Sequence, residues 1–411
     1  MRVLQINSSV NIGSTGRITE EIGKMLWRKG HKSYIAAANI SGSSNSSLIS
    51  IGTAWDRQKH ALKTRMLDRH GFASAKATRK MVEDIHSIDP DVIHLHNIHG
   101  YYLNAEVLFT YLKKEQKPVV WTLHDCWPFT GHCAYFDRVG CYKWQTECYK
   151  CPLKEAYPAS WGLDRSRKNF HEKRELFTGL NQCMIATPSQ WLASHVQQSF
   201  LKGYPVEVIY NGVDQETFHP GPDNGDVLQK YEIADEPYVL GVASVWSSRK
   251  GFNDFLKLRQ MLPESIYIVL VGLSQNQRSK LVGKMIGIKK TADVRELAAL
   301  YSGATAFANP TYIDNFPTTN IEALSCGTPV VTYNTGGSPE AIDEDTGMVV
   351  EKGDVRGLAK ALQFLATKGK VDFAGSCMAR AKQYFNKEER YLDYIRLYEK
   401  LTSKMPSSLY S

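Results

Sequence analysis

The sequence contains no apolar run of the roughly 18 or more residues that a membrane-spanning helix requires. Its first residues, MRVLQINSS, enter a strand pattern directly and lack the charged, apolar and small-residue regions of a signal peptide. Internal repeats are absent, and the serine-rich segment 41–50 is the only low-complexity stretch. We therefore expect a cytoplasmic protein, with a peripheral position at the inner face of the membrane as the alternative.

The charge balance is basic but carries no nucleic-acid signature. Lys and Arg number 50 against 42 Asp and Glu, which gives a formal net charge of +8. Because the basic residues do not form one stripe with aromatics, a nucleic-acid binder is the weakest interpretation. Residues 55–82 are the most basic stretch and include Trp55, Leu62 and Met66. They predict either a solvated helix or an amphipathic helix that contacts an anionic membrane.

The order of apolar segments predicts an α/β fold with two domains. A chain of 411 residues is too long for a single domain with one ordinary hydrophobic core. Short β-branched runs alternate with helical patterns in each half, which implies parallel βαβ units in two doubly wound, Rossmann-like sheets. The predicted strands are Arg2–Ile6, Lys32–Ala37, Val92–His96, Val119–Leu123, Cys183–Ala186, Tyr238–Val242, Tyr267–Val271, Thr305–Ala308 and Val330–Thr332. We place the domains at 1–214 and 215–385, followed by a last helix within 386–411.

An acidic segment between residues 307 and 340 carries the strongest functional signal. Asp314 and Glu322 are eight residues apart, the first in a predicted loop and the second about one turn inside the next helix. Pro317 suits the first turn of that helix, and Thr318–Thr319 can cap its N–H groups. Asn315 and Phe316 complete the loop, so we expect the stretch from 314 to 318 to line a ligand site.

A glycine turn, Gly336-Gly337, follows the next predicted strand. Helix N-termini and such turns present N–H groups and partial positive charge, which together attract anions. A carboxylate beside an anion site can accept hydrogen bonds from sugar hydroxyls, so the combination suits a nucleotide diphosphate-sugar. A solvated pair of acids on a surface helix is the structural alternative.

Two cations are expected at the same edge of the second sheet. Arg249 and Lys250 follow the predicted strand Tyr238–Val242 and precede a helix, and the carboxyl ends of parallel strands face the ligand. Their charge would stabilise a departing diphosphate. A solvated Arg-Lys pair is the alternative.

In the first domain, histidines and glycines follow predicted strands. His124 ends the strand 119–123, and His96 ends the strand 92–96. Strand ends of this kind face the ligand crevice, so both are candidates, whereas His94 and His99 are expected to be structural. Gly13 and Gly16 lie between the first strand and the first helix, where backbone N–H groups could meet phosphate or acceptor groups.

Five of the eight cysteines cluster between residues 126 and 151. Cys148-x-x-Cys151 is a recurrent half of a zinc site, and Cys133 and Cys141 could complete a tetrahedron. Buried free thiols or a redox pair are the alternatives. Disulfides are not expected in the cytoplasm.

These motifs resemble the family 4 retaining glycosyltransferases of GT-B fold. The family's E-x7-E pattern appears with Asp314 in place of its usual first Glu and with Glu322 as the second acid. Its A-x-x-x-G-x-P-V pattern appears at 323–330, and its GG-x-x-E pattern at 336–340. The resemblance covers nearly the whole chain and is closest to bacterial enzymes of capsule, O-antigen and exopolysaccharide synthesis. It implies two Rossmann-like domains facing a cleft, with the C-terminal helix crossing back to the first.

The resemblance also implies residue roles. Lys250 would bind the donor phosphates; the family's Arg five residues earlier is Val245 here, so Arg249 would substitute for it. His124 and Asp314 would position the sugar, and Glu322 would bind the nucleotide ribose. Front-face attack would retain the anomeric configuration, and the leaving phosphate would deprotonate the acceptor. A metal-ligating DxD motif is absent, so no catalytic cofactor is expected.

The sequence thus predicts a hexosyltransferase-like enzyme. It would move a sugar from a nucleotide-diphosphate donor to a polyprenyl-linked or other saccharide acceptor in cell-surface polysaccharide synthesis. The alternatives are a nucleotide-sugar epimerase, a glycogen-type synthase of the same fold, or a non-catalytic sugar-nucleotide-binding protein.

Overall fold

A computed structural model describes residues 1–221, 225–233 and 236–403. The described residues form two compact units: those within Met1–Ile209 and from Tyr391 to Ser403 make unit 1, and those within Tyr210–Arg390 make unit 2. Across the described ranges, no helix has the length and apolar character needed to cross a bilayer. Part of the predicted last segment, 404–411, lies outside the described residues.

Unit 1 is built on one seven-stranded parallel sheet, whose strand order is β3-β2-β1-β4-β5-β6-β7. Its strands are β1 (Arg2–Val10), β2 (Lys32–Ile40), β3 (Ser47–Ser50), β4 (Val92–Leu95), β5 (Val119–Thr122), β6 (Cys183–Thr187) and β7 (Val206–Val208). Its helices are α1 (Gly13–Arg28), α2 (Ala54–Leu67), α3 (Ala75–Ile88), α4 (Ala105–Glu115), α5 (Ser166–Phe177) and α6 (Gln190–Gln198). β4, β5 and β6 are buried along their whole length, as expected for parallel strands covered on both faces.

Unit 2 is built on a six-stranded parallel sheet, with the order β10-β9-β8-β11-β12-β13. Its strands are β8 (Tyr238–Val242), β9 (Tyr267–Val271), β10 (Met285–Ile288), β11 (Ala306–Asn309), β12 (Val330–Tyr333) and β13 (Gly347–Val350). Its helices are α7 (Gly225–Lys230), α8 (Phe252–Arg259), α9 (Gln275–Arg278), α10 (Val294–Gly303), α11 (Thr318–Ser325), α12 (Val355–Lys368) and α13 (Val371–Phe385). The predicted α/β fold with two parallel sheets is therefore confirmed.

The last helix, α14 (Lys387–Thr402), begins in unit 2 and contributes its later turns to unit 1. Its apolar face enters the cluster formed by α1 and the central strands of the first sheet. The buried side chains on that face are Tyr391, Tyr394, Ile395, Leu397, Tyr398 and Leu401. Burial of an aliphatic side chain such as Ile395 stabilises the fold by about 1.5–3 kcal/mol, so this face anchors the later turns of the helix on the first sheet.

Each sheet reverses its strand order at one point, and ligands bind in open α/β sheets outside the carboxyl ends of the strands at such points. In unit 1 the reversal lies between β1 and β4, and in unit 2 between β8 and β11. The loops after these strands carry His96, Lys250 and Asp314. The topology therefore marks the same loops as the motifs do.

Candidate functional site

The cations of unit 2 lie in a single helical turn, Ser248–Lys250, that follows β8. Gly251 ends this turn with φ +75°, and a Cβ there would stand 2.3 Å from the carbonyl oxygen of Pro310. Glycine is therefore required for the turn to approach the loop after β11. Across this contact the Lys250 ammonium forms an ion pair with the Asp314 carboxylate. Both side chains are about one-fifth exposed, 22% and 19%.

Arg249 holds the acidic loop in place. Its Nη1 donates to the carbonyl oxygen of Ile313 at 3.1 Å, and its own carbonyl oxygen accepts from the N–H of Tyr312 at 2.8 Å. These bonds tie the Arg-Lys turn to the residues immediately before Asp314. The structure therefore gives Arg249 a positioning contact, which spacing alone did not predict.

The glycine turn also holds Asp314, through its backbone. Gly336 has φ +55°, and a Cβ there would stand 1.7 Å from the carbonyl oxygen of Asp314. The N–H of Gly337 donates to the same oxygen at 3.2 Å. The turn was expected to present free N–H groups, and the structure corrects this for Gly337, whose N–H is bonded to the acidic loop.

The start of α11 differs from the expected capped helix. Pro317 is the N-cap residue and provides no capping hydrogen bond, and Thr318 is the first helical residue. The prediction that Thr318–Thr319 caps the helix is therefore wrong. Without a side-chain cap, the first-turn N–H groups and the helix dipole give this end of the helix a partial positive charge.

The two loop residues after Asp314 are buried. Asn315 is 6% exposed, and Phe316 packs against Tyr210 and Phe385 with ring centroids 5.1 and 5.6 Å apart. The sequence predicted Asn315 and Phe316 as donor-binding residues, and the packed ring of Phe316 is turned into the core of unit 2. Of Phe316, therefore, the backbone is the part left to meet a ligand.

A buried polar network fixes α11 against the glycine turn. The Asn320 amide donates to the carbonyl oxygen of Ser338 at 3.2 Å and its Oδ1 accepts from Asn309 at 2.7 Å. Thr332 joins the network through the Ser338 hydroxyl at 2.8 Å. Sequence reasoning missed these residues, although polar side chains inside short apolar runs were the available signal.

Glu322 is oriented by a residue of α10. The Tyr301 hydroxyl donates to Glu322 Oε2 at 3.0 Å. Burial, together with the neighbouring Glu322 carboxylate, raises the pKa of Tyr301, so this hydroxyl stays protonated. The structure thus brings Lys250 and Asp314 together and gives Glu322 a separate, fixed orientation on α11.

In unit 1, His124 and His96 are joined. His96 Nδ1 lies 3.1 Å from His124 Nε2, and the two rings meet edge to edge, nearly coplanar at an interplanar angle of 15°. His96 Nε2 lies 3.1 Å from Gln5 Oε1 on β1. Burial lowers the pKa of His124 to about 4, although the Asp125 charge opposes the shift. Burial also lowers the pKa of His96, so both rings are neutral near pH 7.

The other two histidines of this region have structural partners, as the sequence predicted. His94 is buried between the Tyr398 hydroxyl at 2.6 Å and the Thr122 hydroxyl at 2.7 Å. His99 pairs with Asp125 at 2.9 Å and with the Tyr157 hydroxyl at 3.1 Å. The His94 contacts link α14 to the first sheet, and the His99 contacts join three loop segments.

The first glycine loop divides into one packed and one open position. A Cβ at Gly16 would stand 2.9 Å from Ser9 Oγ, and the Gly16 carbonyl oxygen accepts from Asn11 N–H at 3.1 Å. Gly13 begins α1 with φ +69° and has no atom within 4 Å of a Cβ placed there. Gly16 thus serves loop packing, and Gly13 keeps open space beside its backbone.

The four predicted zinc ligands, Cys133, Cys141, Cys148 and Cys151, line one small cavity. The N–H of Gly131 donates to Cys148 Sγ at 3.2 Å, and all four cysteines are free thiols. In the described ranges, however, no three His, Cys, Asp or Glu side chains are arranged to hold a metal ion. The clustering of the thiols is therefore found, whereas zinc stays a prediction that metal analysis of the purified protein tests.

The chain matches two family models. The model described as Glycosyltransferase Family 4 matches residues 15–217, and the model described as Glycosyl transferases group 1 matches residues 236–368. WcaC of Escherichia coli K12, named as a colanic acid biosynthesis glycosyl transferase, is 27% identical over 326 residues, covering 76% of this chain and 77% of WcaC. The O-antigen chain mannosyltransferase B of Escherichia coli is 28% identical over 172 residues, covering 38% of this chain and 45% of that protein.

Solved structures share the fold. A sucrose-phosphate synthase from Thermosynechococcus elongatus has a TM-score of 0.73 and 19% identity, covering 98% of this chain and 100% of the other. HepE from Anabaena, solved with UDP and glucose, has a TM-score of 0.69 and 16% identity, covering 97% of this chain and 100% of HepE. At these identities the likeness concerns the fold alone.

Proposed function

The chain belongs to the glycosyltransferases of family 4 and group 1, and on this premise we propose that it transfers a sugar, with retention of configuration, from a nucleotide diphosphate donor to a lipid-linked saccharide. The observation that carries the proposal is the Lys250–Asp314 ion pair between the turn after β8 and the loop before α11. It sets a phosphate-binding cation beside a sugar-binding acid. Polysaccharide synthesis is the process named for WcaC.

The chemistry follows from the charge that develops during transfer. As the glycosidic bond breaks, negative charge grows on the departing diphosphate, and preorganised positive groups lower the energy of that state. Lys250 and the uncapped start of α11 supply such groups. Asp314 would accept hydrogen bonds from sugar hydroxyls, and Glu322, oriented by Tyr301, would accept them from the ribose. The departing phosphate oxygen would take the acceptor's proton during front-face attack.

A donor screen tests the proposal. We expect one class among UDP-, GDP- and ADP-sugars to raise the melting temperature, because a ligand that binds only the folded state stabilises it by about 2.7 kcal/mol at a hundred times its Kd. Product NMR with that donor should then show the donor's anomeric configuration in the new linkage. An inverted product would refute the retaining mechanism, and no shift with any nucleotide sugar would refute the donor class.

We further propose that the enzyme meets its lipid-linked acceptor at an anionic membrane. Helix α2 turns Trp55, Leu62 and Met66 to solvent, with exposures of 63%, 55% and 56%. Lys59 lies over the Trp55 ring at 5.1 Å, so charge and apolar surface share one face. The predicted basic region is thus no single helix: it ends at Asp68 in a left-handed conformation and restarts as α3.

A second segment extends this face. The N–H of Trp161 donates to the carbonyl oxygen of Arg65 at 2.7 Å, and the Arg65 guanidinium lies 4.9 Å from the Trp161 ring. Trp161 and Leu163 are exposed by 66% and 53%. We name this set the tryptophan surface; it comprises Trp55, Leu62, Met66, Leu67, Trp161 and Leu163. Exposed tryptophans beside lysine and arginine match the interface of an anionic bilayer.

Vesicle sedimentation tests the tryptophan surface. We expect the protein to bind vesicles containing phosphatidylglycerol and to leave pure phosphatidylcholine vesicles unbound. Replacing Lys59 and Lys63 by glutamine should weaken binding roughly 30-fold, because each cation near an anionic membrane contributes about 1 kcal/mol of binding free energy. The double variant Trp55→Ala/Trp161→Ala should also weaken binding. Trp27 on α1 is 60% exposed but lies outside the tryptophan surface, so the control variant Trp27→Ala should bind as the unmodified protein does. Equal losses in all three variants would contradict the proposal.

A further inference from the structure

A buried amide beside the joined pair of histidines, His96 and His124, has one allowed orientation. Gln5 lies on β1, fully buried, and its Nε2 stands 3.0 Å from the carbonyl oxygen of Thr19 on α1. A carbonyl oxygen only accepts, so the Gln5 NH₂ group must face Thr19. The opposite orientation would place two acceptors together in a buried site and leave both without a donor. Gln5 Oε1 therefore faces His96.

This orientation dictates the proton of His96. An amide oxygen cannot donate, so the atom 3.1 Å away, His96 Nε2, must carry a proton. The His96 ring is neutral because it is buried, and a neutral imidazole carries one proton. His96 Nδ1 is therefore an acceptor. It lies 3.1 Å from His124 Nε2, which must in turn be the donor.

We propose that Gln5 and His96 are positioning residues that lock His124 in the tautomer protonated at Nε2. The lone pair of His124 then lies on Nδ1, and any hydroxyl of a donor sugar that meets this atom must donate to it. The tautomer follows from the contacts within unit 1; its use in transfer rests on the function proposed above. The chain of contacts is Thr19 to Gln5 to His96 to His124.

This series of contacts, from Thr19 to His124, also explains two features of the sequence. Gln5 interrupts an apolar strand, RVLQINSSV, where a polar side chain must find a partner. His96 follows β4, and its N–H donates to the carbonyl oxygen of Ile6 at 2.9 Å, which holds the imidazole beside β1. The parallel pairing of β1 with β4 thus sets the register between amide and ring.

Imidazole ¹⁵N NMR of the full chain tests the tautomer without any assay of transfer. The His124 signals, assigned by their loss in His124→Asn, should show a protonated Nε2 and an unprotonated Nδ1 at pH 7.5. Gln5→Met removes the acceptor for His96, so His124 should populate the other tautomer and kcat/KM should fall about 10- to 100-fold. His96→Asn places an acceptor oxygen near the former Nδ1 and should retain more activity than His96→Ala.

Thr64→Val is the control, because it removes a buried helix hydroxyl of unit 1 that donates to the carbonyl oxygen of His60, outside this chain of contacts. It should leave the His124 tautomer and kcat/KM unchanged. A proton on Nδ1 in the unmodified protein would overturn the inference, as would an unchanged tautomer in a folded Gln5→Met variant. The expected tautomer in a protein that transfers no sugar would refute the proposed function and leave the inference standing.

Discussion

Lys250→Ala should lower kcat/KM about 10²- to 10³-fold, the usual cost of removing one preorganised group from a site of developing negative charge. The loss should appear mainly in kcat, because the diphosphate gains its negative charge only as the sugar departs. The variant also leaves Asp314 without the ammonium that it pairs with. Steady-state kinetics with the donor found in the screen measures this effect.

Lys257→Ala is the control for that experiment. Lys257 lies on α8 soon after Lys250, is 63% exposed and pairs with Asp254 at 3.8 Å. Its loss should leave kcat/KM unchanged, since an exposed pair contributes little. A Lys250→Ala enzyme within threefold of the unmodified rate, with an intact melting temperature, would contradict the assigned role.

Lowering the pH from 7 to 5 should cost the fold at least about 4 kcal/mol. Burial lowers the pKa of His60 and of His124 to about 4, from 6.5 in the unfolded chain. Between these values the unfolded state binds more protons, so stability falls as the pH drops through this window. Each of the two histidines therefore lowers the free energy of unfolding by about 2 kcal/mol between pH 7 and pH 5.

Other buried histidines add to this loss, and one opposes it. Burial also lowers the pKa of His70, His94 and His96. Burial of His132 acts in the same direction and is the largest single effect, but the hydrogen bond to Asp68, the Asp68 charge and the Cys151 charge together outweigh it and raise the His132 pKa. The net loss is a large part of the free energy of unfolding of a typical domain, which is roughly 5–15 kcal/mol. Urea denaturation at pH 7 and pH 5 measures it.

His60→Gln should reduce the difference in unfolding free energy between the two pH values by about 2 kcal/mol, since it removes one of the histidines concerned. His171→Gln, which replaces a half-exposed histidine paired with Glu147, should leave the difference nearly unchanged. Equal stability at pH 5 and pH 7 would show that the buried histidines are charged or solvated in the native state.

The parallel strands could be predicted because burial on both faces selects continuous β-branched runs, as in Val119–Thr122 and Val330–Tyr333. Strand β3, within the serine-rich segment, could not be predicted in this way. It is an exposed edge strand, and its residues Ser47–Ser50 lack an apolar pattern. Pairing with β2 fixes it in the sheet. Helix α11 was placed correctly, yet its capping was not, because Pro317 rather than a threonine occupies the N-cap.

The sequence allowed us to predict which residues lie in the site and that they follow strands. It did not allow us to predict which residues they contact. The spacing of Asp314, Lys250 and Gly336 carries no information on which atoms meet. The contact of Gly336 with the Asp314 carbonyl oxygen joins β12 to the loop after β11, and only the folded sheet brings these together. Gln5 escaped notice for the same reason, since its role depends on a histidine 91 residues away.

The central claim is that the second unit binds a pyrophosphate at the carboxyl edge of its sheet. A crystal structure with the nucleoside diphosphate identified in the screen tests it most directly. Phosphate oxygens within hydrogen-bonding distance of Lys250 Nζ and of the first N–H groups of α11 are the predicted result. A diphosphate bound elsewhere, with the Lys250–Asp314 pair undisturbed and remote from it, would contradict the account.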